Sequence, residues 1–402
     1  MSLYGMMRTG VSGMNAQANR LSTTGENIAN SSTVGYKRAD VQFSSMILPS
    51  TGGAYNPGGV ETQVRYSISE QGSFSYTTSK TDLAIKGDGF FIVSGGDGTE
   101  YLTRAGSFVV QADGTLKNTA GFTLMGYEYS TTADPTIVVN GFDGLQEINL
   151  SGSAVRAEAS TAGTLSVNLP SNENVGYVKS TSLVAFDSQG NTRLIEFRYE
   201  KTAANNWTVR ADYAGPPAVA VVPPTVMTFD ANGVLTAPAA GTLTTAAFAV
   251  NGANMSAMTI NIGASTQLAK DFSVETGQIN GQAASTVTGY DIDAEGIVSL
   301  KYSTGELVPR FRVALASVQS PDNLTPVAGN LYQQSNNSGV IIMGYAGTSG
   351  FGTLQSGALE NSNVDIAEEL TGMIESQRNY TANSKVFQTG SELLEVLVNL
   401  KR

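Results

Sequence analysis

The chain has 402 residues, of which 41% are hydrophobic and only 14% are charged, and its net charge is -11. That length has room for two to four domains with real cores. The acidic balance argues against nucleic acid or an anionic membrane as a partner, since both call for basic patches. With no Cys and no His, the chain can form no disulfide, thiolate or imidazole nucleophile, Ser-His triad or ordinary zinc site.

The N-terminus, Met1 to Arg8, lacks the apolar core and cleavage site of a secretory signal. No run approaches the roughly 18 apolar residues of a membrane span. If the protein is extracellular, it is expected to leave by a route that removes no signal, and no membrane insertion is expected. Leu3, Met7, Gly10, Met14, Gln17, Leu21, Thr24 and Ile28 alternate at spacings of four and three. This predicts a helix over residues 2–29 with a coiled-coil seam. Gly5, Gly10, Gly13 and Gly25 lie inside it, each costing roughly 0.5–1 kcal/mol against Ala, so the isolated helix should be marginal and form when packed. Asn30 to Tyr36 reads as a turn-forming exit. Residues 37–70, with the Gly-rich break Thr51 to Gly59, read as an extended connector.

From residue 71 the pattern changes to strands. Leu83-Ala84-Ile85, Gly87-Asp88-Gly89 and Phe90-Phe91-Ile92-Val93 predict a strand, a tight turn and a buried strand. Gly95 to Gly98, Ala112-Asp113-Gly114 and Asn140-Gly141 are further turns. Residues 211–269 carry only Asp212 and Asp230 as charges. The alternation in Val226-Met227-Thr228-Phe229 favours a β domain there over a linker. Strand signals resume at Tyr290 to Asp293 and run through Arg310 to Leu315.

A Gly-rich stretch, Gly344 to Gly357, precedes Ser362-Asn363-Val364-Asp365. Ser362 with Asp365, or Asp365 with Glu368, matches a capping box that starts a final helix, with Lys401 and Arg402 at its negative dipole end. Along that helix Ile366, Leu370, Met373, Gln377, Tyr380, Ser384, Phe387, Ser391, Leu394 and Val398 repeat the heptad step. The first helix is the natural partner of the last. A single pair would leave apolar surface bare, so the pattern predicts a self-polymerising subunit. Leu3, Met7, Met14, Leu21, Ile28, Ile366, Leu370, Met373, Tyr380, Phe387, Leu394 and Val398 are its expected polymer interface.

The expected fold class is mainly β with α termini. Its parts are a helical coiled-coil domain (1–30 with 363–402), an extended connector (31–70 with 345–362), a β domain (71–145 with 285–344) and an inserted outer β domain (146–284). Asp291 to Gly296 imitates the start of a calcium loop, but Tyr302 stands where the bidentate Glu belongs; a hairpin turn is the better reading. Asp187-Ser188-Gln189-Gly190-Asn191 is likewise a turn. Gly87-Asp88-Gly89 lacks the third Gly and following helix of a dinucleotide site. No carboxylate pair is singled out for hydrolytic work. Neither enzyme, metal nor cofactor is expected.

Four stretches resemble the signatures of the bacterial flagellar rod and hook protein family. They are Ser12 to Leu21 with Asn27-Ile28-Ala29-Asn30 and Thr33-Val34-Gly35-Tyr36-Lys37; Thr81 to Val93, containing Gly87, Asp88, Gly89, Phe90 and Phe91; Tyr101 to Gly126, with Thr103-Arg104-Ala105-Gly106-Ser107-Phe108; and Gly357 to Asp365 with Gln377-Arg378-Asn379-Tyr380. Glu26 and Val34 depart from that family, where Asn and Pro are usual. The length and the turns at Phe186 to Asn191 and Asp291 to Gly296 look like those of its hook members, with a distal rod subunit as the second choice. The resemblance implies unfolded passage through the flagellar export apparatus, then assembly under a hook cap protein. The product would be a curved extracellular tube, attached to the basal body, that acts as a universal joint transmitting torque from rod to filament. Its helices would line the channel and its β domains form the shell. Implied partners are the chain itself, the distal rod subunit, the hook cap protein, the hook-filament junction proteins and the export apparatus. A surface adhesin or fibre, with the two helices as an intramolecular stalk, stays open as a different class.

Overall fold

The computed structural model describes residues 3–47, 57–130, 139, 141–151, 155–348 and 350–400. Gly52, Gly53, Asn140, Lys401 and Arg402, singled out above, lie outside the described residues. The chain divides into two compact units. One holds Met1–Gly152, Tyr290–Leu300 and Leu307–Arg402; the other holds Ser153–Gly289 and Lys301–Glu306.

The first unit carries both helices, α1 (Leu3–Ala29) and α2 (Ile366–Leu400). They pack antiparallel. Met7 lies against Gly390, Gly10 and Gly13 against Asn383, and Arg20 against Gly372 and Glu375. The glycines that weaken the isolated helix let the two backbones close in: a Cβ on Gly10 would sit 3.3 Å from the Asn383 carbonyl oxygen. α2 starts at a single-residue cap. The Asp365 carboxylate accepts the backbone N–H of Ala367 at 2.8 Å and, more weakly, that of Glu368 at 3.4 Å, satisfying two of the four orphan donors. The reciprocal half of a capping box does not form, because the Glu368 carboxylate is turned to Arg38 at 3.1 Å.

Residues 37–70 are not a plain connector. β1 (Ala39–Ile47) and β2 (Pro57–Tyr66) form an antiparallel hairpin in which Val41 faces Val64. It is fastened along α1. Ser12 Oγ donates to the Val60 carbonyl and accepts from its N–H, both at 2.8 Å, and Arg8 donates to the Gly58 carbonyl at 3.1 Å. Edge groups that would otherwise lie open are thereby paired.

In the β region of this unit, Phe90–Ser94 pairs with Glu100–Thr103, and Leu307–Val318 pairs with both Thr123–Glu128 and Ile341–Tyr345, all antiparallel. Phe90, Ile92, Leu102, Ala314, Ala316, Leu324 and Tyr332 close one core. The segment before Thr353 returns through Thr353–Ser356, paired with Leu83–Lys86, and Ala358–Glu360, paired with Phe74–Tyr76. Residues 146–151, assigned from sequence to the inserted domain, belong to this unit. Gln146 and Glu147 pair with Gly126 and Met125, and Leu150 N–H donates to the Gly114 carbonyl at 2.8 Å.

The second unit is built on an antiparallel sheet of Val178–Phe186, Thr192–Ala203, Asn206–Tyr213, Val219–Phe229 and Leu235–Ala237, in that spatial order. In Thr192–Ala203 the period of two puts Ile195, Phe197, Tyr199 and Lys201 inside and their neighbours outside. Trp207, Val209 and Met227 complete that core, with Leu165, Val167 and Ile260 from a second, four-stranded sheet. The charge-poor segment 211–269 is thus strand and core.

Candidate functional site

The described residues contain no cluster of three or more acidic side chains able to hold a metal. What the first unit does present is a helix pair with one covered and one bare face. On α2 the side against α1 is polar or small: Glu369, Ser376 and Gly390 are buried, and Asn383 wedges against Gly10 and Gly13. Met373 and Leu394 flank them half-buried. This seam corrects the heptad reading at alternate positions. Sequence placed Leu370, Gln377, Ser384 and Ser391 in it; the residues one step earlier occupy those places. Small side chains permit the close helix approach, so the bulky apolar positions rotate outward.

The outward face is apolar. Ile366, Leu370 and Val398 of the expected interface are exposed there, Val398 at 64%, together with Ile374, Val386, Leu393, Val396 and Leu397. Tyr380 and Phe387 are only partly open at the edge of the seam, where Phe387 backs onto Gly10. Across the seam, Met7, Met14, Leu21 and Ile28 on α1 are half-buried. Leu3 opens the helix, and its side chain lies outside the description. Gln377 and Arg378 are exposed, Asn379 is half-buried, and all three sit beside Tyr380 on α2 rather than with the other signature residues.

The remaining signature residues meet where the helices join the β region. Asn27, near the end of α1, is buried. Its amide donates to the Ala39 carbonyl at 2.7 Å, while its oxygen accepts the Ala39 N–H at 3.0 Å and the Tyr36 hydroxyl at 3.1 Å. Ile28 packs half-buried beside it; Ala29 is exposed, and Asn30 accepts a 3.0 Å backbone bond from Thr33. Gly35 adopts φ +69°, and any Cβ there would sit 2.5 Å from the Ala105 nitrogen, so only glycine lets the chain pass this close. Its N–H donates to the Glu360 carbonyl at 2.8 Å.

Beneath it lies an ionic triad. Lys37 Nζ is 2.6 Å from Glu360 Oε1 and Arg104 Nη1 is 3.3 Å from Glu360 Oε2, with side chains 1%, 0% and 4% exposed for Lys37, Glu360 and Arg104. Lys37 also donates to the Glu70 carbonyl, and Gly72 N–H donates to Glu360 at 3.0 Å. The Arg104 guanidinium lies 5.1 Å over the Phe90 ring. Burial pushes Lys37 and Arg104 below their usual pKa values, against the attraction of Glu360 that raises both. Tyr36 is pushed up to about 12, first by burial and then by the Glu26 carboxylate. Arg38 adds a second tie: its N–H donates to Asn363 at 2.7 Å and its guanidinium pairs with Glu368 and Glu369 at 3.1 and 2.8 Å. Arg104, Glu360 and Asn363 stood inside quoted signatures but were not marked as site residues. The available signal was charge inside signature motifs of a chain so poor in charge.

The other motifs are structural. Gly87 and Gly89 adopt φ +106° and +125° around Asp88, whose carbonyl accepts Gly352 N–H at 2.7 Å, and Phe90 and Phe91 enter the core. Asp187 Oδ1 accepts the N–H of Gln189 and of Asn191, each at 2.9 Å, and its Oδ2 lies 2.8 Å from Arg193. Burial works to raise this carboxyl, but those partners hold it below the usual range. Asp293 closes its turn the same way, accepting Glu295 and Ile297 N–H at 3.1 and 2.7 Å.

This arrangement, helices at the two chain ends rooted in discontinuous β-structure, defines a flagellar axial protein. Four family models match along the chain: the flagella basal body rod protein model at residues 7–37, the flagellar hook protein FlgE/F/G D1 domain at 84–172, the flagellar basal body protein FlaE D2 domain at 149–282 and the flagellar basal body rod FlgEFG protein C-terminal model at 355–400. The chain is 61% identical over 407 residues to the flagellar hook protein FlgE of Rhizobium meliloti, covering 100% of both chains. It is 32% identical over 406 residues to that of Escherichia coli, covering 97% of this chain and 98% of the other. The solved structure of Helicobacter pylori hook protein FlgE2 shares the fold, with a TM-score of 0.53 at 15% identity over 71% of this chain and 100% of that one. The chain belongs to the flagellar hook protein family, structural proteins of the bacterial flagellum.

Proposed function

We propose that this chain is the repeating subunit of the flagellar hook, a curved extracellular tube that transmits torque from rod to filament while bending. The observation carrying this reading is the bare apolar face of α2, which the chain's other helix leaves uncovered. Other copies of the same helix pair are its proposed cover, with the heptad residues named above as the interface. Ordering of the termini is coupled to assembly, since burial on neighbours must offset the entropy of fixing two long segments. The distal rod subunit, the hook cap protein, the hook-filament junction proteins and the export apparatus are the proposed partners. Enzymatic activity forms no part of this reading.

Electron microscopy of the purified protein after sulfate-driven assembly tests it, because such salts strengthen apolar burial. Curved tubes are expected. Straight tubes would favour a rod subunit, and monomers under every condition would remove the reading. Deleting residues 1–30 should abolish the tubes while the second unit stays folded; a deletion that still polymerises would sink the role given to the helices.

A further inference from the structure

The triad of Lys37, Glu360 and Arg104 is a poor choice for stability alone. Two cations share one carboxylate with almost no solvent, and the desolvation of such groups commonly exceeds their mutual attraction, so that apolar residues of similar size serve as well or better. What apolar packing does not supply is direction, because burial of hydrocarbon is non-directional, whereas a hydrogen-bonded ion pair fixes distance and angle. Each member comes from a different place in the first unit. Lys37 follows the exit from α1, Arg104 sits in the β region, and Glu360 closes a strand six residues before α2 begins.

The surrounding bonds are of the same directional kind. Asn330 donates to the Val34 carbonyl at 3.1 Å, Thr103 donates to the Asn330 carbonyl at 2.8 Å, and Asn363 bridges Arg38 N–H and the Ser67 carbonyl at 2.7 and 3.0 Å. The exit from α1 and the approach to α2 are therefore both tied to the β region beside Glu360, while a second tie runs from Asp322 to Ser69 and along the β1–β2 hairpin to α1.

We propose that Glu360, held by Lys37 and Arg104, is a positioning residue that sets the direction in which the helix pair leaves the β region of its own unit, and thereby the shape of the polymer. The proposal rests on the hook-subunit reading for its second half. Its first half concerns a single chain. A small angular error at this root, repeated in every subunit of a helical assembly, changes how all of them stack.

Glu360→Gln alone leaves two buried cations unopposed and is expected to damage folding. The informative variant is the apolar triple Lys37→Met, Arg104→Met, Glu360→Leu, which removes the charges together and keeps the volume. The chain has no Cys, so spin labels go cleanly onto Glu147→Cys in the β region and Glu392→Cys on the exposed side of α2, both within the first unit. In the parent the label-to-label distance distribution should be narrow. In the triple variant it should broaden at least twofold, with thermal unfolding close to the parent's, and the salt-induced tubes should show altered or mixed curvature or fail to form. A distribution as narrow as the parent's, or tubes of unchanged curvature, would overturn the proposal. Should the unsubstituted protein itself form no tubes, the hook reading fails and the polymer claim fails with it, while the label distances still report separately on the root.

Discussion

The helix pair of the first unit and the five-stranded sheet of the second use their apolar residues in opposite ways. In the sheet, Ile195, Phe197, Tyr199, Trp207 and Met227 are all sealed from solvent, so this unit answers its own hydrophobic pattern. On α2, the small and polar residues Ser376, Asn383 and Gly390 face α1, while Leu370, Leu393, Leu397 and Val398 face outward. A helix that buries its polar stripe and shows its apolar one is stable only with further partners. The contrast separates a region that folds for itself from one that folds for an assembly.

The largest effect that would sharpen this contrast is expected from Trp207→Ala. The ring is fully buried and edge-on to Tyr177 at 6.2 Å, and removing it should cost about 3–5 kcal/mol. Calorimetry should show the loss in the second unit's transition, with the far-ultraviolet helix signal of the first unit unchanged. Raising the pH should then open both regions. Tyr36, with its pKa pushed from 10.0 up to about 12, and Tyr199 and Tyr332, both raised by burial, resist ionisation while folded. Their contribution is complete below the unfolded phenol value of about 10 and is lost as pH climbs through the folded values. Phenolate absorbance from these three should therefore appear together with unfolding, and a gradual rise in a protein that stays folded would contradict their burial.

Asn27→Ala comes next. It orphans both the N–H and the carbonyl of the buried Ala39, and a cost of about 1–3 kcal/mol follows for the root of α1, measurable as faster amide exchange at Ala39 with the second unit untouched. Gly25→Ala should act in the other direction. Nothing lies within 4 Å of the added Cβ, so the helix should gain about 0.5–1 kcal/mol. The smallest change in monomer stability is expected from Leu370→Ser with Leu393→Ser, each within about 0.5 kcal/mol because both are exposed. Yet this pair should lose assembly, read by sedimentation after salt addition; wild-type polymer yield would break the comparison at its centre.

The two regions also differ in how far they could be read from the residues. Alternation in Val226 to Phe229 announced a strand, and Asp187 to Asn191 announced a turn, because strand period and turn chemistry are local. The heptads announced two helices and their pairing for the same reason. They misplaced half of the α2 seam, since which stripe packs is decided by how closely Gly10, Gly13 and Gly390 let two backbones approach, and no single segment encodes that. The hairpin of β1 and β2 was missed because its edge groups are satisfied by Ser12 and Asn27 from another element.

By itself, then, the sequence determined the classes of element, the bare apolar stripe and the exclusion of thiol and imidazole chemistry, all of which depend on residue type and short-range spacing. Only the tertiary structure decided that Lys37, Arg104 and Glu360 meet. The two partners of Glu360 lie 323 and 256 residues away along the chain, and a charge that far off becomes a neighbour only when the fold closes around it and removes the water that would otherwise screen it.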